Sequence, residues 1–147
     1  MFGSGVVAQH VYNQLRIRPA VSAAVGTRIR NLAVVPQGTA LPAALHYMEN
    51  GDYTGPFSAG MEPTEETIRY VVRFICEGES DSPIRAAAKD ALTALAIDNA
   101  SATITQDGET FDLTLLPAGE WPITTVTDGG VLYRQLGFIL QAHVFRA

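Results

Sequence analysis

Residues 66–78 read "ETIRYVVRFICEG", and the fold turns on how they are read. Ile68, Tyr70, Val72, Phe74 and Cys76 alternate with Arg69, Val71, Arg73 and Ile75. A period of two belongs to a strand, because successive side chains leave opposite faces. One face is wholly apolar and requires a core. The other mixes two arginines with two aliphatics, the pattern of a sheet face that is only partly covered.

Elements follow on both sides of this strand. Residues 81–98, "DSPIRAAAKDALTALAID", read as a helix with Ser82 as N-cap and Pro83 in the first turn. Its stripe is Ile84, Ala87, Ala88, Ala91, Leu92 and Leu95, small enough to lie close against a sheet. Polar turns at Asp107-Gly108 and at Asp128-Gly129-Gly130 separate alternating runs, which predicts hairpins over the last third. In the final run Leu132, Leu136, Phe138, Leu140 and Val144 share one face, while Tyr133, Gln135, Ile139, Gln141 and His143 share the other. Upstream, Val7, Ala8, Val11, Tyr12 and Leu15 place an amphipathic helix over residues 5–17. Pro19 stops it or opens a short second turn through Val25, which Gly26 ends. "TRIRNLAVV" (27–35) and "AALHYME" (43–49) are short strand candidates around a Pro36-Gln37-Gly38 turn. The stretch from Asn50 to Pro63 is dense in Gly and Pro and reads as a long loop. Strands cluster rather than alternate with helices. The expected class is α+β: one domain over 1–147, with a mainly antiparallel sheet packed on the N-terminal helix and the alanine-rich helix.

The chain has 147 residues, 47% of them hydrophobic, enough for one folded core. No run of 18 apolar residues occurs and the start does not resemble a signal peptide, so no membrane partner is expected. The single cysteine, Cys76, precludes an internal disulfide and a cysteine-cluster metal site. The net charge of −5 argues against general nucleic-acid binding. Its distribution is uneven. Residues 1–48 hold Arg16, Arg18, Arg28 and Arg30 and no acid, while the remainder carries all 15 acids against six bases. Such asymmetry fits a basic arm for nucleic acid, or one edge of a subunit meeting the opposite edge of the next.

No catalytic constellation emerges. His10, His46 and His143 lie in three different elements, without metal-ligand spacing. Ser58 lacks the glycine two residues earlier that a nucleophile elbow needs; Pro56 stands there. "GSG" at 3–5 is too short for a phosphate loop. Glu65 and Glu66 point to opposite faces of a strand and read as solvated. Cys76 reads as a small hydrophobe. Trp121 reads as a core anchor or an interface aromatic. No catalytic residue, cofactor or metal is assigned.

Taken in order, Val25-Gly26-Thr27-Arg28-Ile29, the Pro36-Gln37-Gly38 turn and the Leu41-Pro42 strand opening form a pattern. It continues with the arginine-bearing strand Ile68 to Cys76, the alanine-rich helix from Pro83 to Ile97, and Tyr133, Arg134 and Phe138 in the last strand. This series resembles the tail completion proteins of long-tailed bacteriophages, also called tail terminators or head-tail joining proteins. The resemblance covers nearly the whole chain; residues 101–126 do not align. It implies a structural virion protein at the tail-neck junction, present in host cytoplasm during assembly, and no enzyme. It further implies a homo-oligomer, a hexameric ring that caps the tail tube protein, ends its polymerisation and meets the head-completion or connector protein. DNA would pass through the channel without specific binding, past acidic residues rather than Arg16, Arg18, Arg28 and Arg30. A heterologous ring interface suits the basic and acidic parts of the chain. Tyr53, Phe57 and Met61, in the Gly- and Pro-rich stretch, are the expected interface anchors, with the four arginines as its cations. The alternatives are a head-completion or neck ring protein of the same virion, and a small ligand-binding domain.

Overall fold

A computed structural model describes residues 3–34, 38, 40–57 and 63–146; of 54–57, 63, 121–126 and 128 it describes the backbone. The order is α1 (Gly3–Ile17), α2 (Pro19–Val25), β1 (Ile29–Arg30), β2 (Ala43–Phe57), β3 (Pro63–Glu77), α3 (Ser82–Thr93), a π-helical turn (Ala94–Asp98), β4 (Ser101–Gln106), β5 (Glu109–Asp128) and β6 (Val131–Arg146). The fold is α+β. Its strands form one sheet in the order β1-β2-β3-β6-β5-β4, curled into a half-barrel. All pairings are antiparallel except β1 with β2.

The curl explains how three helices share one core. Helix α1 touches all six strands, which a helix can do only inside the concave side of a curved sheet. Its buried stripe is Val6, Val7, Val11 and Leu15. It meets Ile68, Tyr70, Val72, Phe74 and Cys76 from β3, and Phe138, Leu140, Ala142 and Val144 from β6. Helix α3 adds Ile84, Ala87, Ala88 and Ala91, and Leu95 extends the stripe into the π turn. Burying such side chains stabilises by about 1.5–3 kcal/mol for each larger aliphatic or aromatic.

The sheet's other face is partly covered, as the β3 pattern predicts. Ala43, Leu45, Val71, Ile75 and Ile139 are buried there. Arg73 lies across it. Its guanidinium sits 5.5 Å from the Tyr47 ring centroid, donates to Gln135 Oε1 at 2.6 Å and bonds the Ala33 carbonyl. An arginine stem laid along apolar surface shields it while the charged head keeps its partners.

Four expectations change. The stretch from Asn50 is not a loop up to Pro63: residues 50–57 continue β2, and Asn50 to Thr54 pair with Arg69 to Glu65. The ladder's need for a partner overrides the Gly and Pro content, and a bulge between Met48 and Asn50 absorbs the mismatch. Of the strand foreseen over 27–35, the described residues 27–34 form only Ile29–Arg30, and Val35 lies outside the described residues. Asp81 rather than Ser82 occupies the N-cap position of α3, without a side-chain cap bond. Glu66 is fully buried rather than solvated. Both hairpin turns form where expected; Asp107 and Gly108 have φ of 53° and 79°, and Gly129 and Gly130 have 58° and 81°, the paired positive values of a tight hairpin.

The β3–β6 ladder runs without a break from Glu65↔Phe145 to Glu77↔Tyr133. At its middle a Cβ on Gly137 would collide with the Val72 carbonyl oxygen and lie 2.6 Å from Arg73 Cα. Both obstacles are backbone and cannot swing aside. Gly137→Ala is therefore expected to lower unfolding free energy by about 3 kcal/mol, read from urea denaturation. A loss below about 0.5 kcal/mol would show that the strands can separate there freely.

Candidate functional site

The buried polar groups sit where α1 meets the sheet. Glu66, on the core face of β3, accepts a hydrogen bond from the Gly3 backbone N–H at the start of α1. A carboxylate there satisfies an orphan donor and favours the helix dipole. His10, further along α1, donates from Nε2 to the Asn99 carbonyl at 3.0 Å, just past the π turn. Burial pushes its pKa down. His46 Nδ1 shares a 2.7 Å hydrogen bond with the Tyr70 hydroxyl. Burial lowers the His46 pKa to about 4 and raises that of Tyr70, so both are neutral near pH 7. His143 is half-buried on the opposite face, with Nδ1 3.3 Å from Thr67 Oγ1. The three histidines do not converge, and among the described residues no group of three His, Cys, Asp or Glu could hold a metal. Cys76 is buried, with Sγ 3.3 Å from the Ser80 carbonyl and its thiol pKa raised chiefly by burial. These groups join elements of the fold.

The four arginines separate by role. Arg18, between α1 and α2, bonds Asp90 Oδ1 through Nε at 3.0 Å and Nη2 at 2.7 Å, and Asp98 Oδ2 through Nη1 at 2.9 Å. Its charge clasps α2 to α3 and the π turn. Arg28 donates to the Pro42 carbonyl at 2.8 Å and bridges the start of β1 to that of β2. Arg16 lies 5.8 Å from the Tyr12 ring centroid. Arg30 donates to the carbonyls of Thr27 and Ile29. Arg16 and Arg30 are exposed and meet no carboxylate among the described residues.

Tyr53 is 50% exposed on β2. Phe57 is described by its backbone alone, paired with Pro63, and Met61 lies outside the described residues. An open groove of about 340 Å³ is lined by Ala8, Gln9 and Tyr12 of α1, by Ile29 and Asn31, and by His46. It lies where β1 stops beside β2. No described helix is long and apolar enough to cross a membrane. No protein-family model matches the chain, and no curated protein matches it in sequence.

Sequence reasoning missed Glu66 and the His46–Tyr70 bond. The signal for Glu66 was its place in the β3 alternation, two residues before Ile68 on the core face. His46 and Tyr70 reach each other because His46 pairs opposite Val72 and Met48 opposite Tyr70, a register that emerges only on pairing.

The lowered histidine pKa values set a pH dependence. In the unfolded chain both histidines take up protons near pH 6.5, whereas His46 stays neutral in the fold to about pH 4. The unfolded state then binds more protons, so stability falls as pH falls from about 6.5 towards 4. For His46 the full loss is about 3 kcal/mol. Urea midpoints between pH 7.5 and 4.5 should decline accordingly, and His46→Phe should flatten the decline. A midpoint independent of pH across that range would contradict the buried neutral histidines.

Proposed function

We propose that the chain is a ring-forming tail-terminator subunit that caps a phage tail tube and joins it to the head. The observation that supports this best is the separation of charge. Arg16 and Arg30 stand exposed, without acidic partners among the described residues, while exposed Glu77, Glu79, Glu109, Asp112 and Glu120 lie on other elements. A head-to-tail contact between copies uses two different patches, and opposite charges on them steer association and fix orientation. Arg18 takes no part in this contact, because Asp90 and Asp98 already neutralise it. The motif order from Val25-Gly26 to Phe138 supplies the terminator reading specifically. In that role the ring halts tube growth by covering the tube's last layer, and DNA passes through its lumen.

Virions assembled without this chain decide between the two ring readings. Tails of irregular length, restored to uniform length by adding the protein, are the expected outcome. Tails of normal length on heads that leak DNA would replace this reading with a head-completion ring. In native mass spectrometry, oligomers of the isolated chain should weaken as salt rises, and Arg16→Glu with Arg30→Glu should weaken them at low salt.

A further inference from the structure

The two long strands next to the sheet's edges, β2 and β5, are each covered by a short outer strand over only part of their length. β1 pairs with β2 at Ala44 and Leu45, leaving β2 from His46 onward without a strand neighbour on that side among the described residues. β4 pairs with β5 from Glu109 to Thr114, leaving β5 beyond Leu115 open among the described residues. The two open halves lie at diagonally opposite corners. β1 covers β2 at the end where Ala43 faces Ile75, and β4 covers β5 at the other end, where Leu113 faces Val144.

The register fixes which backbone groups point outward. Ala44 N–H donates to the Arg28 carbonyl just before β1, so Ala44 faces away from β3. Its partner Phe74 belongs with Val72, Tyr70, Ile68 and Glu66 in β3. Gly51 and Tyr53, which pair with Ile68 and Glu66, therefore also turn their N–H and C=O outward. On β5, Leu115 N–H donates to Ala100 and Leu115 pairs with Ala142. Thr125 and Thr127, opposite Arg134 and Leu132, point outward by the same alternation. Pro117, opposite Leu140, does so too, which spares the β5–β6 ladder its missing donor.

Bulges trim each open half to one regular stretch. On β2 this is Asn50–Thr54, after the bulge at Met48/Asn50 and before the irregularity at Thr54/Phe57. On β5 it is Thr124–Asp128, after the bulges at Pro117/Gly119 and Trp121/Thr124. The stretches match in length. Because β2, β3, β6 and β5 alternate in direction, β5 runs antiparallel to β2.

We infer that copies of this chain join by antiparallel pairing of Asn50–Thr54 in one with Thr124–Asp128 in the next, so that the sheet continues from subunit to subunit. Gly51 then faces Thr127, Tyr53 faces Thr125 and Asp52 faces Val126. The diagonal placement supplies the stagger that a closed sheet of tilted strands requires. The Gly129-Gly130 turn of the incoming copy arrives beside Met48, towards the groove edge at His46. Exposed Met48 and Tyr53 flank the joint. The inference rests on the ring reading for the number of copies; the contact itself follows from the edges of this sheet.

Proline at Thr125 or Thr127 removes an outward N–H and leaves the β5–β6 hydrogen bonds intact. In native mass spectrometry and sedimentation, Thr125→Pro and Thr127→Pro should each weaken self-association about tenfold or more, with circular-dichroism melting close to the parent. A second measurement covers the case in which a proline variant misfolds. The double variant Asp52→Cys/Val126→Cys should oxidise to a ladder of covalent multimers. The two single variants mixed should give dimers only, and neither should cross-link alone. Cross-linking of Asp52→Cys with itself would overturn the inference in favour of a two-fold β2–β2 contact. A chain that stays monomeric at all concentrations would also overturn it. An assembly that survives both prolines with the fold intact would reject edge pairing and leave the terminator reading standing. A proline-sensitive ring that fails to set tail length would do the reverse.

Discussion

At Gly137 the central strands β3 and β6 come so close that no Cβ fits between them. The tightest point of the sheet lies in the middle of its longest unbroken ladder. Twist and curl concentrate where a strand lacks a side chain to hold its neighbour off, and the half-barrel bends around this line. The helices follow from the bend. A flat sheet would offer α1 only some of its strands, whereas the curled sheet offers all six. The alanines of α3 complete the arrangement by letting that helix sit low against the same concave face.

Much of this was legible in the chain. The alternation from Ile68 to Cys76, the stripe from Ile84 to Leu95 and the two glycine turns are local patterns, each enforced by one period or one φ requirement. What escaped depends on partners far away in sequence. Residues 50–57 look like a loop, yet β3 overhangs them with backbone groups that need a neighbour. Glu66 looks solvated because it is charged; only the docking of Gly3 shows that its carboxylate has a donor inside. The arginines were legible as a set and less so one by one. Arg16 and Arg30 remain exposed, whereas Arg18, alike in sequence context, is committed to Asp90 and Asp98.

The edges of the sheet follow a logic of their own. An unprotected outer strand invites indiscriminate pairing. Here Pro117, the bulges in β5 and the bulge in β2 interrupt each open half and leave one short regular stretch apiece. Interruptions of this kind suppress random aggregation and at the same time restrict any ordered contact to a single register.

Cys76 has a practical consequence. Its sulfur is shut inside the concave face beside the Ser80 carbonyl, and burial keeps the thiol protonated. A thiolate-seeking reagent can reach it only when β3 parts from the helices. The chain therefore carries an internal clock: the rate at which its one thiol becomes alkylated reports how often the core opens, with no dye or substitution added.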